Sequence, residues 1–218
     1  MRVNKGLMIA ATFDPTKRTS LITVADMCRK IEENSISLPL YQRDISWTLQ
    51  KCIDLLNYQL WGKAPVSPIS INVINTVDSA VPQVSFIDRE IISTIERGQY
   101  SVVDGQQRLT TNYKAYCNHD DFRNIVLDLG KGEFTEVRDS IRSNQIPVGI
   151  LLNKEDTKLF EYTKAKSALG SADVLSVLLQ VRSKMRNYNY TLNSAEDLTE
   201  DEQIEWFEVL NNAGSRVS

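Results

Sequence analysis

Tyr100-Ser-Val-Val-Asp-Gly-Gln-Gln-Arg-Leu-Thr-Thr111 is the stretch around which the chain is organised. Its opening run, Tyr100 to Val103, is aromatic and β-branched, which favours a strand. Asp104-Gly105 is a sharp turn signal. From Gln106 to about Cys117 the residues are compatible with a helix. The expected unit is therefore strand, tight turn, helix N-terminus. The first turn of a helix carries backbone N–H groups without intrahelical partners, and the peptide dipoles add partial positive charge there. Such an end is a seat for phosphate. Gly105 lets a ligand approach the backbone closely. Arg108, one turn in, can fork two hydrogen bonds to a phosphate. Asp104 offers a carboxylate that can hold Mg²⁺ or orient a water. The same residues also read as an ordinary Asp-Gly turn opening a solvated helix, so local chemistry leaves both readings open.

The chain has 218 residues, enough to bury a core of ordinary size. Hydrophobic residues make up 42% and charged residues 24%, the balance of a globular protein. The net charge of −3 lacks the basic excess of a dedicated nucleic-acid binder, although a local basic cleft is compatible with it. Cys28, Cys52 and Cys117 are far apart and lie among apolar neighbours, which reads as small buried thiols. With no C-x-x-C pair and His119 the single histidine, a Cys/His zinc site and multi-histidine catalysis are excluded. No apolar run approaches membrane-spanning length, and the N-terminus lacks a signal-peptide core. The expected location is cytoplasmic.

Outward from the central stretch, helices are expected from Thr23 as N-cap to Ile31, and from Thr48 as N-cap to Leu60, ended by Gly62. Between them Pro39 imposes extended backbone on Leu38, and residues 40–43 read as a strand edge or extended loop. Ile69 to Val73 alternates apolar and polar residues, the pattern of a half-buried strand. Residues 83–87 read as a strand, with 88–97 a helical turn or an extended insert. Residues 123–129 are a further strand, and 146–152 an apolar run. Beyond Asn153 the character turns helical. Helices are expected over 154–168, over 173–188 with Val174, Val177, Leu178 and Val181 on one face, and over 199–211, with a short extended link at 190–192. The last helix has Thr199 and Glu202 placed for a capping box, and Ile204, Phe207, Val209 and Leu210 as its apolar surface. The resulting division is a lead-in (1–19), an α+β domain (20–152) and a helical region (153–218). Trp47 and Trp61 flank the second helix and read as packing against the sheet rather than stacking on a base. Lys184 to Arg186, with Tyr188 and Tyr190, read as a solvated face in preference to a nucleic-acid contact.

Three pieces then line up. Leu38-Pro-Leu-Tyr-Gln-Arg-Asp-Ile-Ser-Trp47 precedes a helix and a Gly-Lys-Ala-Pro-Val-Ser-Pro turn into an Ile-rich strand. Val103-Asp-Gly-Gln-Gln-Arg-Leu-Thr-Thr111 follows, and Trp206-Phe-Glu-Val-Leu-Asn-Asn-Ala-Gly-Ser-Arg-Val217 closes the set. Together, from about Ser20 to the last residue, they resemble the N-terminal domain of GmrS/GmrSD-type modification-dependent restriction proteins, itself distantly similar to ParB and sulfiredoxin.

The resemblance implies an α+β fold, a ParB/sulfiredoxin-like mixed sheet with flanking helices followed by a helical extension that is expected to be truncated. It implies a nucleotide-binding module that hydrolyses NTP with Mg²⁺ in anti-phage defence. The motif residues fall on Tyr41, Gln42 and Arg43, on Asp104, Gly105, Gln106, Gln107 and Arg108, and on Phe207, Leu210, Asn211 and Gly214. Arg43 and Arg108 would clamp a triphosphate from two sides. Tyr41, Gln42, Arg43, Gly105 and Arg108 are the expected nucleotide-binding residues. Asp104, Gln106, Gln107 and Arg108 are the expected catalytic set, with Asp104 also the metal ligand. Restriction members of the family usually carry a separate C-terminal nuclease with a His-Asn-His type site. This sequence lacks one, so DNA cleavage by this chain alone is not expected, and a nuclease domain or subunit and DNA are the implied partners. The alternative is a non-enzymatic module of the same fold that senses nucleotide or DNA. Sulfiredoxin-like chemistry is not expected, because no cysteine lies in the Asp104–Arg108 turn.

Overall fold

The computed structural model describes residues 2–13, 18–42 and 47–213. Nine strands and eight helices alternate among them. In chain order they are α1 (Lys5–Ala10), β1 (Arg18–Thr23), α2 (Val24–Glu32), β2 (Ile36–Pro39), α3 (Leu49–Trp61), β3 (Ile69–Ile74), β4 (Gln83–Val84), β5 (Gln99–Asp104) and α4 (Gln106–Tyr116). Then follow β6 (Ile125–Asp128), β7 (Glu133–Glu136), β8 (Gln145–Pro147), α5 (Val148–Leu151), α6 (Asp156–Ala165), α7 (Ala172–Arg186), β9 (Asn189–Glu196) and α8 (Glu200–Ala213). A six-stranded mixed sheet has the order β1-β9-β3-β5-β2-β4, and an antiparallel sheet has the order β7-β6-β8. The α+β class, the mixed sheet and its flanking helices agree with the sequence.

Local chemistry explains where the elements start. The Thr23 hydroxyl accepts from the Asp26 N–H at 3.1 Å and opens α2. Val24, Met27, Cys28 and Ile31 are the buried positions of that helix. The Thr48 hydroxyl accepts from the Lys51 N–H and opens α3. At α8 the Glu202 carboxylate accepts from the Thr199 N–H at 2.9 Å, while the Glu202 N–H donates to the Thr199 hydroxyl, a capping box.

Two cores result. One lies between the large sheet and α2 and α4, and joins Met27, Ile31, Ile71, Val102, Leu109 and Leu192. The other lies among α3, the small sheet and α5 to α7, around Leu56, Leu127, Phe134, Ile146, Leu159 and Leu178. Tyr190 of β9, only 1% exposed, stands where they meet. Its hydroxyl accepts from Gln59 Nε2 of α3 at 2.9 Å and from Asn112 Nδ2 of α4 at 2.8 Å. Among the described residues no helix is long and apolar enough to cross a membrane.

Several readings change. Residues 190–192 are not a link: β9 has eight residues and lies inside the large sheet, antiparallel to β1 and parallel to β3. The region beyond 153 thus contributes a strand to the same sheet as residues 18–104. Residues 189–193 alternate polar and apolar, with Tyr190 and Leu192 buried, and pairing with two neighbouring strands extends this short pattern to eight residues. β3 is covered on both faces rather than one, with Ser70 and Asn72 as buried as Ile69 and Ile71. Residues 40–42 form a turn and bend after β2 instead of continuing it. On α7 the buried positions are Leu178, Arg182 and Met185, and Val177 is exposed. Phe207, Val209 and Leu210 of α8 also remain exposed, because Gln203 is the side chain that α8 buries. Trp61 does not pack on the sheet. It is exposed and its Nε1 donates to the Gly132 carbonyl at 2.8 Å.

Two stability tests follow from buried polar groups. Tyr190→Phe strands two amide donors without their acceptor and should cost about 2–4 kcal/mol in urea unfolding. Asp128, buried in β6, accepts from Gln145 Nε2 at 2.7 Å and from the Gly130 and Lys131 N–H groups. The Gln145 hydrogen bond, followed by those backbone donors, holds its carboxyl below the usual carboxylate range. The stabilisation is complete above about pH 4 and is lost as pH falls through the lowered folded value. Asp128→Asn should destabilise at neutral pH and flatten the acid limb of unfolding midpoint against pH.

Candidate functional site

The site forms where β5 ends. Asp104 closes the strand, Gly105 reverses the chain with φ +101°, and Gln106 begins α4. Only glycine adopts that conformation without strain. Space excludes a side chain as well, since a Cβ on Gly105 would meet Ile69 Cδ1 at 2.4 Å. No side chain among the described residues caps the first turn of α4.

Arg108 folds back over this turn. One guanidinium nitrogen, Nη2, donates to Asp104 Oδ2 at 2.9 Å, and the other, Nη1, donates to the Ser67 carbonyl of the loop before β3. The Arg108 side chain is 12% exposed and that of Asp104 30%. The expected phosphate clamp is therefore occupied by internal partners, and Asp104 has its charge partner one helical turn away. Gln107 Oε1 accepts from the Trp47 N–H at 3.0 Å. Gln106 is buried and keeps both side-chain amide atoms uncommitted among the described residues.

The Tyr41-Gln42 segment, distant in sequence, joins the same turn. Gln42 Nε2 donates to the Val103 carbonyl at 3.0 Å, one residue before Asp104. Tyr41 points the other way, its hydroxyl donating to Gln203 Oε1 of α8 at 3.3 Å. Burial, reinforced by the Glu200 charge, pushes the Tyr41 phenol up to about 12, so at neutral pH it is a hydrogen-bond donor and not a base. Arg43 and Gly214 lie outside the described residues. The residues on either side of 43–46 are both tied to the central motif, Gln42 to Val103 and Trp47 to Gln107.

Residues 24–218 match the family model described as GmrSD restriction endonuclease, N-terminal domain. The chain belongs to this family. Membership ties it to restriction and phage defence. No curated protein matches it. All three motifs of this GmrSD N-terminal domain fall inside the matched span, and contacts link them: β5–α4 holds the second, Gln42 ties the first to it, and Gln203 brings the helix of the third onto Tyr41.

Other candidates of the GmrSD domain serve the fold. Lys184 donates to the Leu60 carbonyl, and Arg186 to Asn153 and Asp156. The Tyr188 hydroxyl accepts from the Val66 N–H. Cys28 and Cys52 are buried and Cys117 half-buried, all free, with burial pushing their thiols up. Among the described residues no group of three His, Cys, Asp or Glu is gathered for a metal. A cavity of about 470 Å³ lies at the far end of β5, around Lys30, Glu96, Arg97 and Gln99, away from the motif.

Sequence reading missed Arg89. Its Nη2 donates to the Gln42 carbonyl at 2.6 Å and to the Leu40 carbonyl at 3.3 Å. The residues around it carry neither helical nor strand periodicity, and only the tertiary contact reveals it.

Gly105→Ala should lower stability by at least about 1 kcal/mol from backbone strain alone, with the Ile69 overlap added. In an Ile69→Val background, which removes the clashing Cδ1, part of the loss should return and the strain portion should remain. Urea unfolding of the four-member cycle measures both.

Proposed function

We propose that this domain binds a nucleoside triphosphate at the β5–α4 turn and hydrolyses it with Mg²⁺ to license restriction by a nuclease domain or subunit acting on DNA. The observation that carries the reading is the Arg108 guanidinium folded back over the start of α4, a helix end with no side-chain cap among the described residues. An anion at this turn would meet the first-turn N–H groups of α4 and the positive end of its dipole. Arg108 would exchange its Asp104 or Ser67 partner for a phosphate oxygen, a geometry the planar guanidinium favours. Gln42 is tied to the strand end just before the turn, and Arg43 follows it in sequence. The distant likeness to ParB nucleotide sites supports the same placement.

Mg²⁺ fits as an ion carried by the nucleotide, because Asp104 is a single carboxylate at the turn and such ions are held largely by phosphates and water. It would supply charge neutralisation on the transferring phosphoryl group. Gln106, with its amide uncommitted among the described residues, would orient an attacking water, since an amide donates and accepts at once. Gln107 is the weaker candidate because its oxygen holds Trp47. Asp104 either contacts the ion or orients the water.

The Asp104–Arg108 pair also favours a second reading. A nucleotide that takes Arg108 from Asp104 changes the contacts of the turn without any turnover, so binding alone would act as a switch. Calorimetric titration with ATP, GTP, CTP and UTP, with and without Mg²⁺, followed by phosphate release, separates the two. Arg108→Ala should weaken triphosphate binding ~10–100-fold, as expected for loss of charge-assisted hydrogen bonds. Asp104→Asn should free Arg108, keep or tighten binding, and abolish phosphate release. Release that survives in Asp104→Asn would remove Asp104 from the catalytic set. Binding without release in the wild-type protein would leave the switch, and no binding would defeat both readings.

A further inference from the structure

We infer that Arg89 is a positioning residue of the nucleotide site, holding the Tyr41–Gln42 turn against the end of β5. The inference rests on the proposed nucleotide site and extends it to a segment outside all three motifs.

Residues 83–92 double back on themselves. The Ser85 N–H donates to the Glu90 carbonyl at 2.9 Å, and the Ile92 N–H donates to the Gln83 carbonyl at 2.9 Å. Phe86, 5% exposed, anchors the tip in the core beneath the large sheet. Arg89 completes the reversal with φ +53°, a left-handed conformation that an L side chain rarely adopts. That conformation sends its guanidinium onto two carbonyls of one turn, those of Leu40 and Gln42. Gln42 in turn reaches Val103, so a two-step chain of contacts runs from Arg89 to the residue before Asp104.

Stability alone is a poor reason for this arrangement. Glycine would make the same chain reversal without strain. Arg89 Nη1 is buried without a hydrogen-bond partner among the described residues, and so is Gln42 Oε1. Each is a cost to the folded state. Strained backbone and unpaired buried polar groups concentrate where a site must be held in one geometry. Both hydrogen bonds leave from one nitrogen, Nη2, so a lysine ammonium, with three donors, can replace either of them where its shorter stem reaches the turn.

The test uses Arg89→Gly, which removes the guanidinium while relieving the backbone, beside Arg89→Lys, Arg108→Ala and the wild-type chain. ATP, GTP, CTP and UTP are titrated with Mg²⁺, and hydrogen exchange is followed over residues 38–42. In Arg89→Gly the thermal midpoint should stay near the wild-type value, exchange at Leu40 and Gln42 should quicken, and triphosphate affinity should fall about tenfold. Arg89→Lys should keep more of the affinity than Arg89→Gly does. Millimolar methylguanidinium should restore affinity to Arg89→Gly and not to Arg108→Ala. Wild-type affinity in Arg89→Gly, with Arg108→Ala defective, overturns the role of Arg89 and leaves the nucleotide site standing. Unchanged exchange over 38–42, or a loss of affinity that only follows a lowered thermal midpoint and resists methylguanidinium, overturns it too. A wild-type chain that binds none of the four triphosphates overturns the nucleotide site, and this inference with it.

Discussion

One buried hydroxyl ties the structure together. Tyr190 stands on β9, one strand in from the edge of the large sheet, and takes hydrogen bonds from α3 and α4 at once. Both helices belong to the candidate site: α4 carries Arg108, and α3 follows the span that contains Arg43. The Asn112 amide that reaches Tyr190 also donates to the Arg108 carbonyl. Burial pushes the Tyr190 phenol far up, so it stays neutral and the arrangement does not titrate in the physiological range. A polar group in a dry core is costly unless its partners are fixed. The same requirement orders β9, α3 and α4 relative to one another. The turn after β5 therefore sits on a frame set from below rather than on a free loop.

The turn itself is poised but not open. Ile69 fills the space over Gly105, Arg108 bridges Asp104 and Ser67, and Gln107 holds Trp47. A ligand must compete with those partners. Such competition would favour a group with dense charge, as the proposed triphosphate has. It also couples occupancy to neighbouring chain. The Ser67 loop, the Trp47 backbone and the Tyr41–Gln42 turn all touch residues 103–108, so release of one contact is felt on three sides. The proposed report of nucleotide to a nuclease would use this coupling.

Much of the candidate site was legible from the chain alone because its signals are local. Asp-Gly after a β-branched run specifies a strand and a reversal. Thr23, Thr48 and the Thr199–Glu202 pair specify helix starts through hydrogen bonds spanning three residues. The partner sets were not legible. That Arg108 is spent on Ser67, that Gln107 rather than Gln106 holds Trp47, and that Arg89 grips residues 40 and 42 all depend on segments 41 to 60 residues apart, whereas Asp104 and Arg108 are one helical turn apart. The apolar side of α8 misled for a related reason. Periodicity marks a face, but what covers that face is a tertiary matter.

The sequence by itself determined the class of the fold, the β5–α4 turn and the family, since each rests on short-range sterics or on a contiguous motif. Only the tertiary structure decided that β9 enters the sheet. Its alternation covers only residues 189–193, enough for extended backbone but silent on its partners, and β1 and β3 offer it two ladders. With β9 in place Tyr190 reaches α3 and α4, and the segments at 41–42 and 104–108 acquire a common frame. Local propensity does not name the partner strands, because that free energy lies in contacts that exist only after the chain has closed on itself.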